Sequence, residues 1–189
     1  MLYNVLVFII SIIVKIVFRV KIHGNNKLPE GRLILCSNHN SLLDPVILAV
    51  TTNRQLSFMA KKELFENSFT NWLFRKIGAF PVDRSKADFK AIKDALGILK
   101  NDKVLGIFPE GTRVTTVSLD NIKPGVGLLA SRGKSDIQPV NIVTDYKFFS
   151  RVDVFFRDII HIEDYDLSAE NINQHISEDI YKAIYKIEE

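Results

Sequence analysis

Residues 33–50 read Leu33-Ile34-Leu35-Cys36-Ser37-Asn38-His39-Asn40-Ser41-Leu42-Leu43-Asp44-Pro45-Val46-Ile47-Leu48-Ala49-Val50. The apolar run 33–36 predicts a buried strand, and 45–50 predicts a buried helix. The turn between them holds a histidine and a carboxylate, His39 and Asp44, with four residues separating them. Strand-to-helix turns of α/β proteins are frequent sites of chemistry. A histidine oriented by a carboxylate works as a general base near neutral pH, a contribution of roughly 10²–10⁴ in rate. Ser41-Leu42-Leu43-Asp44 also has the form of a capping box, which predicts Ser41 at the N-cap and Asp44 on the first helical turn. From these residues alone two readings stand side by side: a base with its orienting carboxylate, or a capped helix behind an ordinary turn histidine.

Outward from this stretch, strand signals recur near 17–23, 32–37, 56–60, 78–82, 104–108, 137–143 and 152–158. Helix signals fall near 42–52, 61–75, 86–100, 124–133 and 168–187. Such alternation predicts an α/β fold, a mostly parallel or mixed central sheet flanked by helices. The acidic last helix is expected on the outside. A chain of 189 residues suffices for one domain with a sizeable core. The reading divides it into an N-terminal membrane-associating helix, 1–22, and an α/β domain, 23–189.

Residues 2–20 are nearly continuously apolar. As a helix they reach about 28 Å, against ~30 Å of bilayer hydrocarbon. The run has neither the charged start nor the small-residue cleavage site of a signal peptide. Asn4, Ser11 and Lys15 share one narrow stripe of such a helix. Lys15 makes a solitary span costly. The expectation is therefore a helix tilted, or lying in one leaflet, with its stripe toward headgroups or protein. Lys15, Arg19 and Lys21 cluster at its C-terminal end, which places the following domain on the cytoplasmic face of the cell membrane. Segment 61–76 mixes lysines and an arginine with Phe65, Phe69, Trp72 and Phe74, a composition that suits either a membrane interface or ordinary core packing.

The single cysteine, Cys36, excludes an internal disulfide framework and fits an inert core thiol. Charge is uneven. Residues 163–189 hold eight acids against two lysines, a net −6, so the overall +3 leaves +9 on residues 1–162. A basic body suits an anionic partner: a phosphate-bearing substrate, an anionic membrane surface or nucleic acid.

Three further stretches carry chemistry. In Gly78-Ala79-Phe80-Pro81-Val82-Asp83-Arg84, a short strand ends in an Asp-Arg pair followed by Ser85 and Lys86. Cations at a strand end beside a helix N-terminus fit a phosphate site, and a surface ion pair fits the same residues. In Val104-Leu105-Gly106-Ile107-Phe108-Pro109-Glu110-Gly111-Thr112-Arg113, a buried strand runs into a tight loop. Gly111 there permits positive φ or close approach of a ligand. Arg113 suits bidentate phosphate binding, and Glu110 suits either a substrate hydroxyl or an arginine. Ligands of open α/β sheets bind outside the carboxyl ends of strands. In Ile137-Gln138-Pro139-Val140-Asn141-Ile142, Pro139 predicts an edge or a wall beside a cleft.

In this order the four stretches resemble the glycerophospholipid acyltransferase family, whose best-known members act on 1-acylglycerol-3-phosphate. Asn38-His39-x-Ser41-x-x-Asp44 matches its first block, Gly78 to Arg84 its second, Phe108 to Arg113 its third, and Pro139-Val140 its fourth, the weakest. The resemblance covers roughly residues 30–145. Val114 departs from it, since the family often has serine there. The resemblance implies transfer of a fatty acyl group from an acyl thioester, coenzyme A or acyl carrier protein, to the hydroxyl of lysophosphatidate. The product is phosphatidate, a step of phospholipid biosynthesis. It further implies His39 as base and Asp44 as its orienting carboxylate. Lys62, Arg84 and Arg113 would take the acceptor phosphate, and Glu110, with Gly111 and Thr112 in the same loop, would take the glycerol. Backbone N–H groups at the start of the 42–52 helix are expected at the oxyanion. No cofactor beyond the thioester co-substrate and no metal is implied, and His23, His161 and His175 read as structural or exposed. Runner-up readings change the acceptor to glycerol-3-phosphate, another lysophospholipid or an amino-acid lipid, or make the protein a non-catalytic lipid binder. A serine hydrolase using Ser41 lacks the Gly-x-Ser-x-Gly elbow, and no nucleic-acid-binding motif appears.

Overall fold

Leu33 and Leu35 bury on one face of a central sheet, and Ile34 and Cys36 on the other. This is the period-two alternation of a strand covered on both sides. The computed structural model describes residues 2–83, 88–113, 118 and 122–186. Its elements are α1 (Leu2–Val17), β1 (Arg19–His23), β2 (Leu33–Ser37), α2 (Asp44–Thr51), β3 (Leu56–Lys61), α3 (Ser68–Lys76), β4 (Phe80–Val82), α4 (Phe89–Lys100), β5 (Val104–Ile107), α5 (Gly125–Gly133), β6 (Asp136–Val143), β7 (Arg151–Phe156) and α6 (Ile172–Tyr185). Each of the seven expected strands is present within a few residues of its expected bounds.

The strands form one mixed sheet in the order β1-β7-β6-β2-β5-β3-β4. All neighbours are parallel except β6 and β7. Helices α1 and α2 cover one face, over a core that includes Val14, Phe18, Ile47, Leu48 and Val152. Helices α4, α5 and α6 cover the other, over Ala95, Leu99, Leu129, Ile176 and Ile180. The carboxyl ends of β2, β3, β4, β5 and β6 share one edge. The loops that leave them begin at 38, 62, 83, 108 and 144 and therefore gather at that edge.

Several expectations change. The capping box does not form. Helix α2 begins at Asp44, its N-cap is Leu43 without a side-chain cap, and Pro45 sits in the first turn, where a residue lacking an N–H is best tolerated. The Asp44 carboxylate turns back over the loop, and Ser41 Oγ accepts from the Leu43 N–H, at 3.2 Å. The segment 61–75 is not one helix. A 3₁₀ turn at Lys62–Phe65 is followed by α3, because the Asn67 side chain accepts from the Phe69 and Thr70 N–H groups and starts a new helix there. No residue of α3 is buried, which overturns core packing for Trp72. Pro139 lies in interior β6 and is buried. Just past the end of β7, its carbonyl accepts from the Arg157 N–H at 3.0 Å. Helix α6 is an outer layer, yet Ile176, Ser177, Ile180, Tyr181 and Ile184 on its inner side are fully buried.

Helix α1 ends at Val17, shorter than the apolar run, because Arg19 opens β1 beside β7. No helix among the described residues is long and apolar enough to cross a membrane. Phe8, Ile9, Ile12, Ile13 and Ile16 form an exposed apolar face on α1, while Val14 and Phe18 enter the core.

Candidate active site

The turn after β2 is fixed from the side. The buried Asn38 carboxamide donates to the Ile142 carbonyl at 2.9 Å and accepts from the Ile142 N–H at 2.7 Å, tying the turn to β6 as a strand would be tied. The next residue, His39, is 6% exposed. Its Nδ1 lies 2.9 Å from Asp44 Oδ2. The same oxygen accepts from the Asn40 and Ser41 N–H groups, each at 2.7 Å. The second oxygen, Oδ1, accepts from the Tyr146 hydroxyl. With Nδ1 engaged, Nε2 is the nitrogen left for a substrate proton.

The imidazole lies flat against Phe108, with centroids 4.0 Å apart and planes at 19°. Phe108 in turn stacks beside Phe58, at 5.8 Å and 11°. Phe58 spreads across Gly106, its register partner on β5, where any Cβ would stand 2.2 Å from the ring. This aromatic floor opens on a cleft of about 580 Å³ lined by His39, Phe58, Phe108 and Arg113. Its far wall is apolar and comes from α1 (Leu6, Val7, Ile10) and α2 (Val46, Ala49, Val50).

Glu110 is 1% exposed. Its Oε1 accepts from the Tyr185 hydroxyl at 2.9 Å, and its Oε2 has no hydrogen-bond partner among the described residues. Burial, the largest cause, pushes the carboxyl above its ordinary range, and the nearby Asp44 charge adds to this. Gly111 takes the expected left-handed backbone, φ +68, and its N–H donates to the Phe108 carbonyl at 2.9 Å, closing the loop. Thr112 and Arg113 are exposed, and Arg113 reaches the rim of the His39 cleft. Lys62 is half exposed and donates to Asp83 at 2.7 Å. That bond, first, and the Asp83 charge raise its pKa. The cleft is lined by its neighbour Lys61 instead. Arg84, Ser85, Lys86 and Val114 lie outside the described residues. Among the amides expected at an oxyanion, the Leu43 and Asp44 N–H groups bond to Ser41, and Pro45 has none.

Sequence reasoning missed Tyr146, Tyr185, Lys61 and Lys123. The Lys123 side chain passes 3.3 Å from where a Gly111 Cβ would stand. None of the four lies in a motif. Tyr146 and Tyr185 reach Asp44 and Glu110 from 102 and 75 residues away, so no local spacing marks them. Cys36 is buried and its thiol is pushed up by burial, as expected of a core residue. His23 and His161 pair with Asp153 and Asp136. Among the described residues no group of three or more metal-ligating side chains gathers.

In structure the chain is similar to the 1-acyl-sn-glycerophosphate (LPA) acyltransferase PlsC of Thermotoga maritima. The TM-score is 0.72 at 20% identity, over 97% of this chain and 80% of that one, a likeness of fold. In sequence it is similar to the 1-acyl-sn-glycerol-3-phosphate acyltransferase of Streptococcus pneumoniae, 39% identical over 122 residues, which are 62% of this chain and 45% of the relative. It is also similar to the Bacillus subtilis protein of the same name, 37% identical over 123 residues, 64% of this chain and 60% of that one. The matched part thus spans about half the length of these relatives. The sequence profile of the acyltransferase family matches residues 19–143, from the first residue of β1 to the last of β6, with the whole His39–Asp44 turn inside it. The chain therefore belongs to the acyltransferase family.

Proposed function

We propose that this protein is a 1-acylglycerol-3-phosphate O-acyltransferase, moving a fatty acyl group from an acyl thioester to the free hydroxyl of lysophosphatidate and so making phosphatidate. The observation that carries this reading is a histidine–carboxylate pair facing an apolar cleft with an arginine at its rim. The relatives' names agree with it.

In the proposed reaction His39 Nε2 takes the proton of the acceptor hydroxyl as that oxygen attacks the thioester carbonyl. Asp44 keeps Nδ1 protonated and stabilises the imidazolium. Collapse of the tetrahedral intermediate breaks the C–S bond, and the imidazolium returns its proton to the leaving thiolate. No acyl-enzyme forms, because the acceptor is itself the nucleophile, and no cofactor takes part. The apolar wall of α1 and α2 suits a fatty chain. Arg113 suits the phosphate, with Arg84 and Lys62 proposed beside it. Oε2 of Glu110, without a partner among the described residues, supports a role in accepting a hydrogen bond from a glycerol hydroxyl beside the loop of Gly111 and Thr112. The exposed apolar face of α1 supports attachment to the cytoplasmic face of the cell membrane, with α1 lying in one leaflet. There both lipids keep their chains in the bilayer.

The test is acyl transfer by purified protein in lipid, wild type against His39→Ala. Labelled lysophosphatidate is the acceptor, and coenzyme A and carrier-protein thioesters are parallel donors. Labelled phosphatidate from wild type is expected, with a loss of roughly a hundredfold or more in the variant, and the productive arm names the donor. No product from either donor, while lysophosphatidate binds, would sink this acceptor.

A further inference from the structure

Among the described residues, every donor to the Asp44 carboxylate but one comes from its own turn. Oδ2 takes His39 Nδ1 and the N–H groups of Asn40 and Ser41. Oδ1 takes the Tyr146 hydroxyl and, among the described residues, no other donor. Asp44 is 1% exposed, so bulk solvent does not reach its carboxylate. The terminal torsion of an aspartate is soft. Its carboxylate plane is set by the groups that bond its two oxygens and not by the rotamer.

Tyr146 is held for this contact from outside the turn. It lies in the loop that follows β6 and adopts a left-handed backbone, φ +53, uncommon for a bulky residue. Its N–H donates to Thr144 Oγ1 at 3.1 Å. Its ring meets Phe18 edge-on, with centroids 5.9 Å apart and planes at 82°. Phe18 is the residue between α1 and β1. Further along the same loop, the Phe149 N–H donates to the Val17 carbonyl at 2.8 Å, and Arg19 Nε donates to the Phe149 carbonyl at 3.0 Å. One end of the loop thus rests on Asp44 and the other on the junction of α1 and β1. Burial first, and then the bond to Asp44, push the phenol above its ordinary range, so it remains a donor at neutral pH.

We propose that Tyr146 is a positioning residue for acyl transfer: its hydroxyl holds Oδ1 of Asp44 so that Oδ2 stays aligned on His39 Nδ1. The proposal rests on His39 being the base of the reaction proposed above. Nothing in the turn itself replaces this bond, and the contact belongs to the loop after β6.

Tyr146→Phe removes the hydroxyl and keeps the ring against Phe18. Two readouts on the full chain decide the matter. With lysophosphatidate and the productive thioester, kcat is expected to fall between about ten- and a hundredfold, the scale of a misplaced catalytic group. KM for both substrates should stay within about twofold, as for an interaction made in the transition state. Without substrate, the downfield proton resonance of His39 Nδ1–H, assigned by its absence in His39→Ala, is expected to move upfield or broaden. An unchanged kcat with an unchanged resonance overturns the proposal. So does a joint change of kcat and KM with a lowered melting temperature and an unmoved resonance, the pattern of a packing role. If wild type transfers no acyl group, the functional reading fails. The resonance then decides alone: a shift in Tyr146→Phe sustains the positioning role, and an unmoved signal overturns it.

Discussion

Glu110 and Asp44 are both buried carboxylates, and their surroundings treat them differently. Asp44 receives four donors. Glu110 receives Tyr185 at one oxygen and, among the described residues, has no partner at the other. Burial raises the Glu110 pKa above its unfolded value, so the folded state binds a proton more tightly than the unfolded one. The sign follows: stability is full below the ordinary glutamate range and declines as pH rises through the window up to the folded pKa. Glu110→Gln has no such ionisation. Its melting temperature relative to wild type is expected to climb from pH 4 to pH 8, on top of a constant offset from the altered hydrogen bonding. A difference that stays flat with pH, measured by circular dichroism, would show that Glu110 ionises as readily folded as unfolded. His39 and Asp44 were legible because one turn carries both. Tyr185 was not, since only the packing of α6 brings it to Glu110, and α6 reads from sequence as an acidic outer helix.

At the scale of elements, β5 and β3 are joined by a steric match that supports the site. Gly106 leaves room for Phe58 to lie across the strand, and Phe58 and Phe108 extend from there to His39. Gly106→Ala puts a methyl 2.2 Å from a Phe58 ring carbon. The expected cost is about 1–3 kcal/mol, the range for overpacking, read as a lower urea midpoint at unchanged slope. Activity should fall further than stability explains, because the ring cannot move without moving the floor under the imidazole. A fully active, equally stable variant would show that the stack has slack. The strands themselves were legible from apolar runs bounded by turn residues. Their spatial order was not, because the pairing of β1 to β7, and of β2 to β6, depends on contacts more than a hundred residues apart. The misread cap has a local reason: the Ser-x-x-Asp pattern ignores Pro45, which sits in the first turn while Asp44 reaches back to the loop.

For the whole molecule, the apolar faces are distributed unequally. The α4–α6 side is closed by helices packed on one another. The α1 side leaves Phe8, Ile12 and Ile16 in solvent, and Phe148 beyond α1 is 81% exposed. If α1 seats the enzyme on lipid, replacing exposed Ile9 and Ile13 by Glu should abolish co-sedimentation with phosphatidylglycerol vesicles. The melting temperature in the absence of vesicles should be unchanged, since neither side chain is in the core. Undiminished sedimentation would assign docking to other surfaces. The pairing of β1 also bears on how the protein is made. β1 is an edge strand whose sole neighbour among the described residues is β7, so Arg19 must wait for Arg151. At ribosomal speeds of roughly 5–20 residues per second, that interval is on the order of ten seconds. For most of it α1 is outside the tunnel while its strand has no partner. If α1 does seat on lipid, it is free to do so before the chain behind it has closed, so docking can precede folding.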